Sequence, residues 1–227
     1  MARDFDGTND NVDFASDASI DGFTSQTIAF WAQNDAGNNV FDVWANKWTD
    51  DVTNTGWRVT RNSFNTPDSI QFLRNFIGSI AEWYGGDWGT GLTHIVITYD
   101  NTSTANDPII YQDGSIVSLT EVTAPVGTAN SDASSTLRIG EAGDGSADAD
   151  GRIMAFCYDN AIWSAAQVNR ARWWGTPGGG VEVYHPMWIS DLTNKGTATA
   201  NGTATGTTVA SLPRVERCWG TMMGVGR

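Results

Sequence analysis

The chain has 227 residues, and its 26 acidic against 13 basic side chains give a net charge of −13. That length can bury a sizeable core without metal or disulfide props, while the charge repels phosphate backbones and anionic headgroups, so nucleic acid and acidic membranes are poor partners. Twenty-five glycines beside eleven tryptophans and nine phenylalanines favour an all-β chain over a helical one.

From the N-terminus, Arg3 to Ala15 holds two short alternating runs around Thr8-Asn9-Asp10-Asn11, the pattern of a hairpin. Thr27–Gln33 sets Ile28, Phe30 and Ala32 on one side of a strand, and Phe41–Lys47, Gly56–Arg61 and Ser69–Arg74 follow at meander spacing. Phe76–Tyr84 reads as one further strand and Gly85–Gly91 as a glycine loop. Leu92–Asp100 is β-branched almost throughout and reads as central. Pro108–Asp113 and Ser115–Val122 form a second hairpin, and Ser135–Gly140 is another strand. In Gly151–Tyr158 strict alternation places Ile153, Ala155 and Cys157 on one face and Met154, Phe156 and Tyr158 on the other, so the strand is covered on both sides. Cys157 is then a small buried hydrophobe, and a bridge to Cys218 has nothing to support it. Ser164 and Gln167 form a capping box for one short helix, which Gly175 and Pro177 stop.

Composition shifts after Gly178-Gly179-Gly180. Lys195–Ser211 is nearly all Gly, Thr, Ala, Asn and Val and reads as a linker. Residues 213–227 carry Arg214, Arg217 and Arg227 against Glu216 alone, beside Trp219, Met222 and Met223. An apolar, basic tip on a flexible arm predicts partner docking, with Tyr184 and Trp188 as further anchors. The expected division is a body at 1–176 and an extension at 177–227.

Taken in order, Phe5-Asp6-Gly7-Thr8-Asn9-Asp10, His94–Asp100, Tyr111-Gln112-Asp113-Gly114, Leu137-Arg138-Ile139-Gly140 and Gly151-Arg152-Ile153 with the passage from Ala161 to Val168 resemble the laminin-G-like jelly rolls of the concanavalin A-like lectin and glucanase superfamily. The resemblance implies an antiparallel β-sandwich with one short helix and an extended C-terminal arm. Tyr184, Pro186, Trp188, Asp191, Leu192, Asn194, Gly196, Thr205-Gly206 and Pro213 resemble the extension of such proteins encoded by bacteriophages. That part of the likeness implies a non-enzymatic virion protein, a capsid decoration or a tail or fibre component. It would be made in the host cytoplasm, in keeping with an opening that lacks an apolar signal sequence, and held to capsid or other virion subunits, or to further copies of itself, through the arm. The alternative expectation is a carbohydrate-binding module gripping a host glycan.

No Glu-x-Asp-x-Glu strand surrounds Glu82, Glu121, Glu141, Glu182 or Glu216, and no Gly-x-Ser-x-Gly elbow occurs, so no catalytic residue is expected. His94 reads as a structural strand residue and His185, beside Pro186, as a surface one. Glu141, Asp144, Asp148 and Asp150 are candidate Ca²⁺ ligands, because that ion takes carboxylate and carbonyl oxygens from loops, and the superfamily's frequent use of calcium adds to the expectation. Asp4, Asp6 and Asp10 form a second such group. Among Trp44, Trp48, Trp57, Trp83, Tyr84 and Trp88, most are expected in the core or an interface. Trp83, Tyr84 and Trp88 are the candidate sugar-stacking residues, with Trp88 in its glycine loop expected to be the most exposed.

Overall fold

A computed structural model of the protein describes residues 2–35, 41–49, 55–64, 68–187 and 191–210. The alternating runs become strands, in chain order β1 (Ala2–Asp6), β2 (Asn11–Phe14), β3 (Ser25–Asn34), β4 (Phe41–Lys47), β5 (Trp57–Asn62), β6 (Ser69–Phe76), β7 (Ser79–Gly85), β8 (Thr93–Asp100), β9 (Ile109–Gln112), β10 (Ser115–Ile116), β11 (Leu119–Thr123), β12 (Leu137–Ile139) and β13 (Asp150–Asp159). The helix α1 (Ala165–Trp174) follows, then β14 (Val183–His185), β15 (Gly202–Thr205) and β16 (Thr208–Ala210). The segment Phe76–Tyr84 is two strands rather than one, because Ile77-Gly78 make a turn between β6 and β7.

Two antiparallel eight-stranded sheets result. The first runs β10-β9-β8-β3-β13-β1-β16, with β14 also paired to β13, and the second runs β11-β7-β6-β5-β4-β12-β2-β15. Their facing sides interdigitate Phe5, Phe30, Trp44, Trp57, Phe72, Trp83, Trp88, Tyr99 and Tyr158 into one core. The outer side of the first sheet carries α1, whose Val168 and Ala171 pack on Ala29, Val96, Tyr111 and Cys157. Ser164 and Gln167 close the capping box and Gly175 caps the other end.

Strand β13 is covered on both sides, but not with the strict alternation read from sequence. Ala155 takes a left-handed φ of 52° at a bulge against β3, and the extra residue shifts the parity. Ile153, Phe156 and Tyr158 therefore all face the sandwich core, while Cys157, a free thiol, faces the helix. Burial pushes that thiol far above its ordinary pKa.

The largest departure concerns the C-terminal extension. Up to Ala210 its described residues are built into the sandwich instead of forming an arm and a linker. Strand β14 pairs with Phe156–Tyr158, β15 adds to the second sheet beside β2, and β16 adds to the first beside β1. Val183, Met187, Ala198 and Ala200 join the main core. Between β15 and β16 the chain passes from one sheet to the other at Gly206, whose left-handed φ of +73° favours glycine and where an added Cβ would press on the Asp10 carboxylate.

Two side chains knit the extension together. Asn194 accepts from the Tyr184 and Gly196 amides and donates to the Glu182 and Ala198 carbonyls. His185, expected at the surface, is fully buried. Its Nδ1 accepts from the Met187 amide at 3.0 Å, which leaves Nε2 to donate to the Asp191 carbonyl at 2.8 Å. Burial accordingly lowers its pKa and keeps it neutral.

Candidate functional site

Whereas α1 covers the first sheet, the outer face of the second sheet carries a polar row. Asp13, Arg138, Asn46 and Arg58 lie side by side on β2, β12, β4 and β5. Arg138 follows Leu137 and precedes Ile139, both core residues, so alternation turns its guanidinium outward. Its Nε and Nη2 donate to the two Asp13 carboxylate oxygens at 2.7 and 2.8 Å. Its Nη1 lies 3.0 Å from Glu141 Oε2 and also reaches the carbonyls of Ala142 and Gly143. The hydrogen bonds to Asp13 hold the guanidinium above its ordinary pKa.

This anchored arginine forms one wall of an open cleft of about 200 Å³ lined by Trp48, Thr49, Ser134, Ser135, Thr136, Arg138 and Gly143. The opposite wall, Trp48-Thr49, follows β4. Trp48 is nearly buried, and the Arg58 guanidinium lies 4.9 Å from its ring centroid. Gly143 has to be glycine, since a Cβ there would lie 2.2 Å from the Trp48 carbonyl oxygen. Behind the cleft the hydroxyls of Thr49, Thr55 and Ser135 form a chain with spacings of 2.9 and 2.8 Å. Among the described residues, Ser134 and Thr136 make no side-chain hydrogen bond to protein, so both can serve a ligand. The volume is below the ~300–1,000 Å³ of sites for drug-sized ligands and suits a single ring.

No protein-family model matches the chain, and no curated protein matches its sequence. Among solved structures it superposes on a putative carbohydrate binding protein from Bacteroides ovatus with a TM-score of 0.67 and 14% identity, over 94% of this chain and 61% of that one. A heptameric SAP-like pentraxin from Limulus polyphemus gives 0.62 at 12% identity, over 91% and 92% of the two chains. The fold is a jelly-roll β-sandwich, as in these two proteins. A third neighbour, the CBM40 module of a Ruminococcus gnavus sialidase, gives 0.52 at 8% identity over 74% of this chain and 95% of that one, and it is solved both alone and with α2,3-sialyllactose. The chain spans about three fifths of the Bacteroides protein.

In this jelly roll the sugar-stacking residues expected from sequence are placed elsewhere. Trp83 is fully buried against Phe72 and Tyr99, with its Nε1 donating to Asp107 at 2.9 Å. Trp88 is also fully buried, packed on Phe30 and Trp44. Its glycine loop folds over the end of the sandwich because Gln112 clamps Asp87, accepting from its amide and donating to its carbonyl. Only Tyr84 of the three reaches the outer face of the second sheet, half-buried and opposite Gln71. Tyr184, an expected docking anchor, is half-buried against the helix-side cluster. Trp188, Arg214, Arg217, Trp219, Met222 and Met223 lie outside the described residues.

The side chains of the acidic loop take separate partners. Glu141 is committed to Arg138 and to the Asn11 amide, which donates at 2.7 Å, while Asp144 caps Ser146. Among the described residues no group of three or more His, Cys, Asp or Glu is placed to hold a metal ion. Asp148 and Asp150 instead meet the second acidic group. Burial raises the pKa of Asp10, Asp148 and Asp150, and the neighbouring charges of Asp6 and, for two of them, Asp4 add to it. Because the folded pKa of Asp148 lies above the unfolded value near 3.9, ionising it opposes folding at neutral pH, and that penalty disappears as pH falls below both values. Asp148→Asn is therefore expected to raise the melting temperature at pH 7, with the gain shrinking as pH falls through the ordinary carboxylate range. Thermal scans at pH 7 and through that range measure it.

The cleft was hidden from sequence reading. Its two walls are some ninety positions apart, and its serines and threonines resemble any turn. Arg138, the one charge between two apolar residues of β12, was the available signal.

Proposed function

We propose that the chain is a non-enzymatic carbohydrate-binding domain whose ligand enters the cleft between Trp48-Thr49 and Ser134–Thr136. The observation that carries this reading is the hydroxyl-lined cleft itself, set on the polar outer face of the second sheet and braced by an arginine whose charge is already matched. Hydroxyls both donate and accept, which is what a sugar ring's own hydroxyls require. Two structural neighbours support it: the Bacteroides protein is a putative carbohydrate binding protein, and the CBM40 module is solved with α2,3-sialyllactose bound. Among the described residues no helix is long and apolar enough to cross a membrane.

A glycan array probed with the intact protein tests the proposal. Binding is expected, and because Glu141 is held by Arg138 it should persist at equal strength in calcium and in chelator. Absence of any binding under both conditions overturns the reading.

The second reading, a virion component partnered by capsid or fibre subunits, draws its support from the resemblance of residues 184–213 to phage-encoded extensions. It is compatible with the first, since a particle can carry a glycan-binding domain. With Tyr184 packed inside the domain, docking would fall to residues beyond Ala210.

A further inference from the structure

We infer that the cleft selects uncharged sugars and rejects sialic and uronic acids, an inference that rests on the glycan-binding reading above. A carboxylate ligand is held best by a guanidinium presenting free N–H groups in a fork. Among the described residues Arg138 is the cationic side chain lining the cleft, and its fork is already taken: Nε and Nη2 by the two oxygens of Asp13, Nη1 by Glu141 and two carbonyls.

The surrounding charges point the same way. Asp13, Glu141 and Asp144 outnumber Arg138 and Arg58, and Arg58 lies over the Trp48 ring. The whole chain adds the field of its −13 net charge. What the cleft offers instead is hydroxyl groups that donate and accept at once, a match for a neutral ring and a poor counter for a carboxylate.

The test is an array of neutral, sialylated and uronic-acid oligosaccharides, followed by titration calorimetry of the best ligand against three proteins: the wild type, Ser134→Trp and the double variant Asp13→Asn/Glu141→Gln. Ser134 is exposed, so tryptophan fills the cleft without entering the core, and a circular dichroism melt verifies folding. The wild type should bind neutral glycans and lose at least an order of magnitude in affinity with Ser134→Trp. The double variant releases Arg138 and should gain on the order of tenfold for acidic glycans, the scale of a charge-assisted hydrogen bond. Wild-type preference for sialylated or uronic glycans overturns the selectivity while leaving the glycan reading in place. Neutral binding untouched by Ser134→Trp places the site elsewhere and overturns the inference too. Silence across the whole array overturns the glycan reading itself.

Discussion

Trp88→Ala should cost the protein about 3–5 kcal/mol of stability, the range for emptying a buried large aromatic site, and lower its melting temperature by roughly 10 °C. The indole is fully buried between Phe30 of the first sheet and Trp44 of the second, with centroid separations of 6.2 and 5.0 Å, so its removal opens a void that spans both layers. Neither sheet can collapse into that void without breaking the pairing on either side of it. Trp88→Phe keeps most of the ring and should cost markedly less. Denaturant unfolding of the two variants measures the difference. A sugar-stacking Trp88 would behave in the opposite way, with stability retained and glycan binding lost, and that outcome would refute its placement in the core.

How far residues speak for themselves depends on whether their role is local. Period-two alternation in Thr27–Gln33 and Leu92–Asp100 is a property of each strand alone, and both stand in the sheet as read. The helix ends were equally legible, because Ser164, Gln167 and Gly175 act within four residues of the backbone they cap. The failures share a different origin. Trp88 sits among glycines that suggest exposure, and contacts from distant residues, Gln112 on Asp87 and the Asp68 carbonyl on the Trp88 amide, fold its loop inward. The parity shift at Ala155 needs one residue in a left-handed conformation, to which alanine gives no clue. Acidic residues at 141–150 look like a single cluster along the chain, and Glu141 and Asp148 do bridge through their backbones, yet their side chains take different partners, Glu141 facing Arg138 and Asp148 lying near Asp10. The cleft needs both of its walls, and neither contains a recognisable motif without the other.

The same distinction between local and distant roles decides where the domain ends. A chain stopped after Gly180 loses β14, the partner of Phe156–Tyr158, together with Val183, Met187, Ala198 and Ala200 from the core and the outermost strand beside both β1 and β2. It should fail to fold cooperatively, whereas a chain stopped after Ala210 keeps every described contact and should melt like the full-length protein. Cys157 reports the difference, because both truncations remove Cys218. Its sulfur is fully buried, 3.4 Å from the Gly175 carbonyl, and burial opposes the thiolate that a labelling reagent attacks. The thiol should therefore resist labelling in the chain ending at Ala210 and react at the rate of a denatured control in the chain ending at Gly180. A protected thiol and a cooperative melt in the shorter chain would restore a body ending near residue 176. The longer truncation separates the two functional readings as well: glycan binding should survive it, since the cleft lies wholly before residue 144, while attachment to virus particles, if residues 211–227 provide the docking, should be lost. Residues 183–210 thus complete both sheets, and the two truncations measure their contribution separately from that of residues 211–227.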